Sequence, residues 1–202
     1  MKHPVRAVTA LLTIPVLAAS AVLLSGCASD PLAEDYQTTD QNYVSGNGSI
    51  TVIASADRGE PVSWTGTTDA GSSLSSDDFA GEVVVLNFWY AACPPCRVEA
   101  PDLEALNQLF SDDGAHFVGV NVRDQADTAL TFAEEAGVSY PSIIDTNDGN
   151  LLLAFAGTVA PNAVPTTLVI DKQGRVAARF LGAIDGQSTL RTVIRETIDE
   201  VG

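Results

Sequence analysis

The sequence predicts an α/β domain, a mixed sheet with helices on both faces. Three observations lead there. Between residues 83 and 156, short runs rich in Val, Ile and Leu alternate with segments of helical spacing, the pattern of strands joined by crossover helices. Val83-Val84-Val85-Leu86-Asn87-Phe88-Trp89 is apolar on both of its alternating faces, as a central strand buried on both sides requires. Thr167–Ile170 and Arg175–Leu181 are joined by Asp171-Lys172-Gln173-Gly174, which reads as a hairpin and makes the sheet mixed.

The elements follow in order. Ile50–Ala54 and Pro61–Gly66 read as short strands, and the chain is turn-rich from there to Ser73. Ser75–Phe79 fits one helical turn ended by Gly81. After strand 83–89, a helix runs from Pro94 to Phe110. Leu103, Leu106 and Phe110 mark its inward stripe, and stepping back along it reaches Glu99 and then Cys96. Pro101 lies inside this helix and predicts a kink. His116–Val122 is the next strand. Asp127 is read as the cap of a helix through Ala136, stopped by Gly137. Residues 140–145 form a strand and 150–156 a helix. Leu190, Val193, Ile194, Ile198 and Val201 give a closing amphipathic helix.

The strand-to-helix step at Cys93-Pro94-Pro95-Cys96 carries the chemistry. Two cysteines two residues apart at such a step are a redox-site signature. Backbone N–H groups and the dipole of the first helical turn favour negative charge at Cys93, and the thiolate is the nucleophile in disulfide exchange. Cys96, one turn on, can resolve a mixed disulfide within the molecule. Pro94 and Pro95 suit the first turn, whose N–H groups have no helical partner. A zinc site needs about four ligands, and the only cysteines and histidines outside this pair are Cys27, His3 and His116. A purely structural bridge would close a very short loop and restrict the unfolded chain little. Glu99 is expected on the buried side of the helix, where burial raises a carboxyl pKa.

The chain has 202 residues and a formal net charge of −16, which suits one domain plus an export segment. The acidic balance argues against nucleic acid as a partner. Lys2 and Arg6 precede an uncharged, mostly apolar stretch from Ala7 to Leu24, the form of an export signal. Its ending, Leu24-Ser25-Gly26-Cys27, resembles the lipobox of bacterial lipoproteins. That resemblance implies cleavage after residue 26 and a lipid on Cys27. Loss of residues 1–26 takes two positive charges away and leaves the Cys93–Cys96 pair as the remaining thiols. Residues 27–49 read as a polar tether, roughly 25 Å across as a random coil, and 50–202 as the folded domain.

Residues 50–202 resemble the thioredoxin-like oxidoreductases of the TlpA/ResA/CcmG type. The resemblance rests on Leu86–Trp89, Cys93–Cys96, Glu99, Pro101, Val164-Pro165-Thr166 and the hairpin Ile170–Arg175. It implies that the helix and strand between Asp127 and Asp145 are the insertion of that group. It implies an exposed attacking Cys93, a resolving Cys96 and Glu99 as the active-site acid. It also implies a cis-proline at Pro165 that faces the dithiol and, with Val164, offers backbone to an extended substrate, beside Trp89, Pro94 and Pro95. No cofactor beyond the redox-active cysteine pair and no metal is implied. Two positions depart from the pattern: Asn87 stands where classical thioredoxins have a buried Asp, and Ala92 where most relatives have Trp.

The expected function is a thiol-disulfide oxidoreductase tethered outside the cytoplasm. The resemblance implies that it reduces disulfides in exported proteins, in cytochrome c maturation among other settings, and is re-reduced by a membrane electron donor of the CcdA/DsbD type. The residues themselves leave the direction of electron flow open. An oxidase or isomerase of exported proteins, and a non-catalytic metal-handling module on the same fold, are the alternatives. Each oxidoreductase reading requires Cys93 to be reachable beside Cys96 and Pro165.

Overall fold

The computed structural model describes residues 50–159 and 163–200. The expected signal, the lipidation site Cys27, the tether and Val201 lie outside the described residues. No described helix is long and apolar enough to cross a membrane.

Among the described residues, eight strands and four helices follow one another: β1 (Ile50–Val52), β2 (Thr65–Thr67), β3 (Ser73–Ser75), β4 (Val83–Trp89), α1 (Pro94–Phe110), β5 (Ala115–Asn121), α2 (Ala126–Ala136), β6 (Ser142–Ile144), α3 (Asn150–Ala154), β7 (Thr166–Ile170), β8 (Val176–Leu181) and α4 (Ser188–Asp199). Single 3-10 turns occupy Ser55–Asp57 and Ser76–Phe79. Six strands form one sheet in the order β1-β8-β7-β4-β5-β6. β4, β5 and β6 are parallel, whereas β7 runs antiparallel to both β4 and β8. β2 and β3 make a separate ribbon, which reaches the main sheet through a bridge from Thr68 to Ile143.

Strand alternation sorts the core into two layers. Val83 and Val85 face α1 and α4, packing with Leu103, Leu106, Phe110, Leu190 and Ile194. Val84, Leu86 and Phe88 face the other way, toward Trp64, Leu151 and Phe155. Every residue of β4 is buried, so the strand holds the centre as its composition predicts. α1 spans the predicted residues and continues through Pro101.

Three expectations need correction. Pro61–Trp64 is not a strand; β2 begins at Thr65. Val62 bonds to Gly174 and Trp64 is buried, so its apolar residues reflect packing rather than ladder pairing. Ser73–Ser75, read as part of a turn-rich stretch and of a helical turn, forms β3. Asp127 does not cap α2: the cap position is Gln125, and Asp127 lies in the first turn. There its charge still complements the helix dipole. Gly137 ends that helix in the left-handed conformation, as expected.

Candidate functional site

The dithiol lies where β4 ends and α1 begins. Val122 N–H bonds to the Trp89 carbonyl, and Tyr90–Cys93 then turns the chain, closed by Cys93 N–H on the Tyr90 carbonyl at 3.1 Å. Cys93 is the N-cap of α1, with Pro94 and Pro95 in its first turn. Cys93 and Cys96 are joined by a disulfide, S–S 2.05 Å. The Cys93 sulfur accepts the Cys96 N–H at 3.2 Å. Pro94 and Pro95 have no N–H, so the Cys96 amide is the first donor the helix start offers this sulfur.

Cys93 differs from expectation in one respect: it is buried, at 0% exposed. Bonded to Cys96, its sulfur turns inward and joins an apolar cluster with Tyr90, Ala100, Phe132 and Val164. Its neighbours Ala92 and Pro94 are exposed, so the bridge lies directly beneath the surface at one pole of the sheet. Pro95 is half-buried.

Val164 and Pro165 are both buried and are linked by a cis peptide bond. Val164 packs in the same cluster as the two cysteines, and the Pro165 carbonyl accepts Gly182 N–H at 2.9 Å. Trp89 is also buried. Its indole N–H donates to Ser142 Oγ at 3.2 Å, and its ring lies 4.6 Å from that of Phe132. In this form Trp89 fastens β4 to β6 and α2.

Glu99 is 1% exposed, the buried acid that its place on the stripe predicts. One carboxyl oxygen accepts from Asn87 Nδ2 at 2.8 Å, the other from Ile184 N–H at 2.9 Å. Asn87 Nδ2 also donates to Thr167 Oγ1 at 3.1 Å. Burial pushes the Glu99 pKa up to about 7, against the lowering effect of these donors. Glu99 is therefore divided between its two forms near neutral pH, one helical turn from Cys96. Burial, with the Glu99 and Glu104 charges, raises the Tyr140 hydroxyl. Glu104 behaves oppositely: burial pushes it up, but donors from Ser139, Gln108 and Asn107 outweigh this and hold it low.

A sequence profile of the Redoxin family matches residues 49–194. The chain belongs to the Redoxin family. Among known proteins, this Redoxin-family chain is 36% identical over 107 residues to the thiol-disulfide oxidoreductase ResA of Geobacillus thermodenitrificans, covering 53% of the chain and 59% of that protein. It is 36% identical over 104 residues to the thiol:disulfide interchange protein HelX of Rhodobacter capsulatus, covering 52% and 54%. The match thus spans less than two thirds of these relatives. Among solved structures, a secreted thiol-disulfide isomerase from Corynebacterium glutamicum aligns with TM-score 0.70 and 33% identity, over 78% of this chain and 96% of that one. A thioredoxin-family thiol:disulfide interchange protein from Chlorobium tepidum aligns at 0.64 and 28%, over 72% and 99%. The fold is thioredoxin-like, as the sequence resemblance implies.

Sequence reasoning reached Cys93, Cys96 and Glu99 but missed the residues that hold them. Thr167 and Ile184 complete the setting of Glu99, while Arg97, Asn121, Arg123 and Asp124 surround the turn before Cys93. The one local signal was Asn121-x-x-Asp124 at a strand end, where short polar side chains fold back on the backbone. Among the described residues, no group of three or more His, Cys, Asp or Glu is placed to hold a metal ion.

Proposed function

We propose that this protein is a thiol-disulfide oxidoreductase that reduces protein disulfides outside the cytoplasm. The observation that carries the reading is the Cys93–Cys96 bridge at the leading end of α1, with buried Glu99 one turn away. In the reduced protein, the Cys96 N–H and the dipole of α1 favour a Cys93 thiolate. Opening the bridge frees the Cys93 sulfur, 0% exposed in the disulfide form, to turn out between exposed Ala92 and Pro94, and its thiolate attacks a substrate disulfide. A bond forms between Cys93 and one substrate sulfur, and the other substrate sulfur leaves as a thiolate. Glu99 takes the proton of Cys96. The Cys96 thiolate then attacks the Cys93 sulfur, releasing the second substrate thiol and restoring the bridge. Two electrons pass to the substrate, and a membrane donor of the CcdA/DsbD type returns them.

Within this proposal, Val164 and Pro165 receive the extended substrate segment by backbone pairing, Pro94 and Pro95 border it, and Trp89 supports it from below. Exported proteins carrying disulfides are the substrates, with cytochrome c maturation as the setting. Tethering rests on the export signal and on a lipid at Cys27, which would place the domain at the outer face of the cell membrane. The names of the relatives support exchange chemistry.

Trapping tests this. Cys96→Ala should accumulate a substrate as a mixed disulfide on Cys93, while Cys93→Ala should accumulate none. A reduced protein whose Cys93 neither reacts with a thiol reagent nor traps a partner would sink the reading. An equilibrium with glutathione typical of a strong oxidant would move it to the oxidase alternative.

A further inference from the structure

The turn that delivers Cys93 to its helix is held from outside. Its two central residues, Ala91 and Ala92, carry only methyl groups, so their own side chains cannot fix it. Instead, the Ala91 N–H donates to Asp124 Oδ2 at 2.6 Å, and the Ala91 carbonyl accepts from Arg97 at 3.3 Å. Asp124 is anchored in turn. Asn121 Nδ2 donates to the same Asp124 oxygen at 2.9 Å. Asn121 Oδ1 accepts the N–H groups of Asp124 at 2.7 Å and Arg123 at 3.0 Å. Asn121 is fully buried and closes β5, in register with Trp89. Around this chain of bonds, Arg123 lies 4.2 Å over the Tyr90 ring, and Arg97 lies 5.3 Å over Phe132 and 3.8 Å from Glu135.

We propose that Asp124 is a positioning residue for the dithiol: its carboxylate, locked by Asn121, holds the Ala91 amide and so keeps the Cys93 sulfur on the first turn of α1. The inference rests on the exchange function proposed above and deepens it. A hydrogen bond to an ionised acceptor is roughly twice as strong as one between neutral groups, so this contact outranks the other turn bonds. In the reduced protein, where no bridge fixes the sulfur, losing this contact frees the Tyr90–Cys93 turn, and the sulfur spends less time opposite the Cys96 N–H, from which it accepts at 3.2 Å in the disulfide form. The thiolate then loses stabilisation that the disulfide does not need. The equilibrium moves toward the disulfide, and the pair becomes more reducing.

The test compares Asp124→Ala, Asp124→Ser and Asp124→Asn with the wild-type full chain, equilibrated in glutathione buffers, with thermal melting to verify folding. Ala should shift the equilibrium constant about tenfold toward disulfide, equivalent to about 30 mV, and Ser should do the same. Asn keeps a neutral oxygen for the Ala91 N–H and should return about half of the shift. A folded truncation variant with the wild-type constant overturns the proposal. So does an Asn variant indistinguishable from the truncations. A wild-type pair that does not exchange with glutathione at all refutes the proposed function itself, and this inference with it.

Discussion

Glu99 occupies a place where water cannot solvate its charge, and the protein answers with only two donors of its own, Asn87 and the Ile184 N–H. With a pKa near 7 against an ordinary 4.5, the folded protein keeps a proton that the unfolded chain releases between those values. The carboxyl's contribution is therefore complete below about pH 4.5 and is lost as pH rises through about 7. The loss amounts to at most about 3 kcal/mol. Denaturant unfolding of the oxidised protein across pH 4 to 8 should show this decline, and Glu99→Gln should flatten it. An equally steep decline in the Gln variant would assign the effect to another group. Asn87 sets the balance: its amide gives Glu99 a donor that an aspartate there could not supply when ionised. Glu99 and the cysteines were legible from spacing alone. Asp124 and Ile184 were not, because their contacts join residues 33 and 85 positions apart, and no local pattern encodes such a meeting.

At the scale of elements, legibility followed length. α1 begins and ends where a proline pair and a leucine stripe predict, because seventeen residues give the period room to show. β2 and β3, three residues each, are too short to display an alternation. Their ribbon is placed by long-range packing: Ile143 lies so near Gly66 that a side chain there would collide with it. The same close fit appears at β5. A methyl at Gly119 would sit 2.8 Å from the Trp89 indole nitrogen and would also press on the Ser142 hydroxyl that the indole bonds. Gly119→Ala should cost about 1–3 kcal/mol, read as a lower denaturation midpoint with an unchanged slope. It should also alter the Trp fluorescence. On α4, Leu190 is fully buried against the sheet, and Leu190→Ala should cost about 2–5 kcal/mol.

Across the whole molecule, one charged cluster joins distant parts of the chain. Arg58 reaches Asp171 at 2.9 Å and Glu200 through two bonds of 2.6 Å. Asp171 also accepts from Arg175, and Lys172 bonds the carbonyls of Ile198 and Glu200. Arg58 and Asp171 side chains are 3% and 1% exposed. Burial pushes the Asp171 carboxyl up, but donors from Arg175, Arg58 and Gln173 outweigh it and hold it below its usual value. Its contribution is present above the ordinary carboxylate range and fades as pH falls through the depressed value. Removing Arg58 leaves that buried charge with Arg175 as its one remaining cation partner among the described residues, beside the Gln173 and Arg175 N–H groups, so Arg58→Ala should cost on the order of 3 kcal/mol at neutral pH. The cost should shrink in acid, and a variant as stable as the wild type at pH 7 would refute this account. None of this was visible in the sequence, where Arg58, Asp171 and Glu200 are three charges among many.

β7 starts beside the dithiol at Thr166 and ends at Ile170, opposite the beginning of β4. Glu200, clasped at the Asp171 turn that follows, is thus carried to the far end of the sheet from Cys93. A protein fixed to a bead or an electrode through position 200 would hold its sulfurs away from the support, free to meet whatever is washed over them.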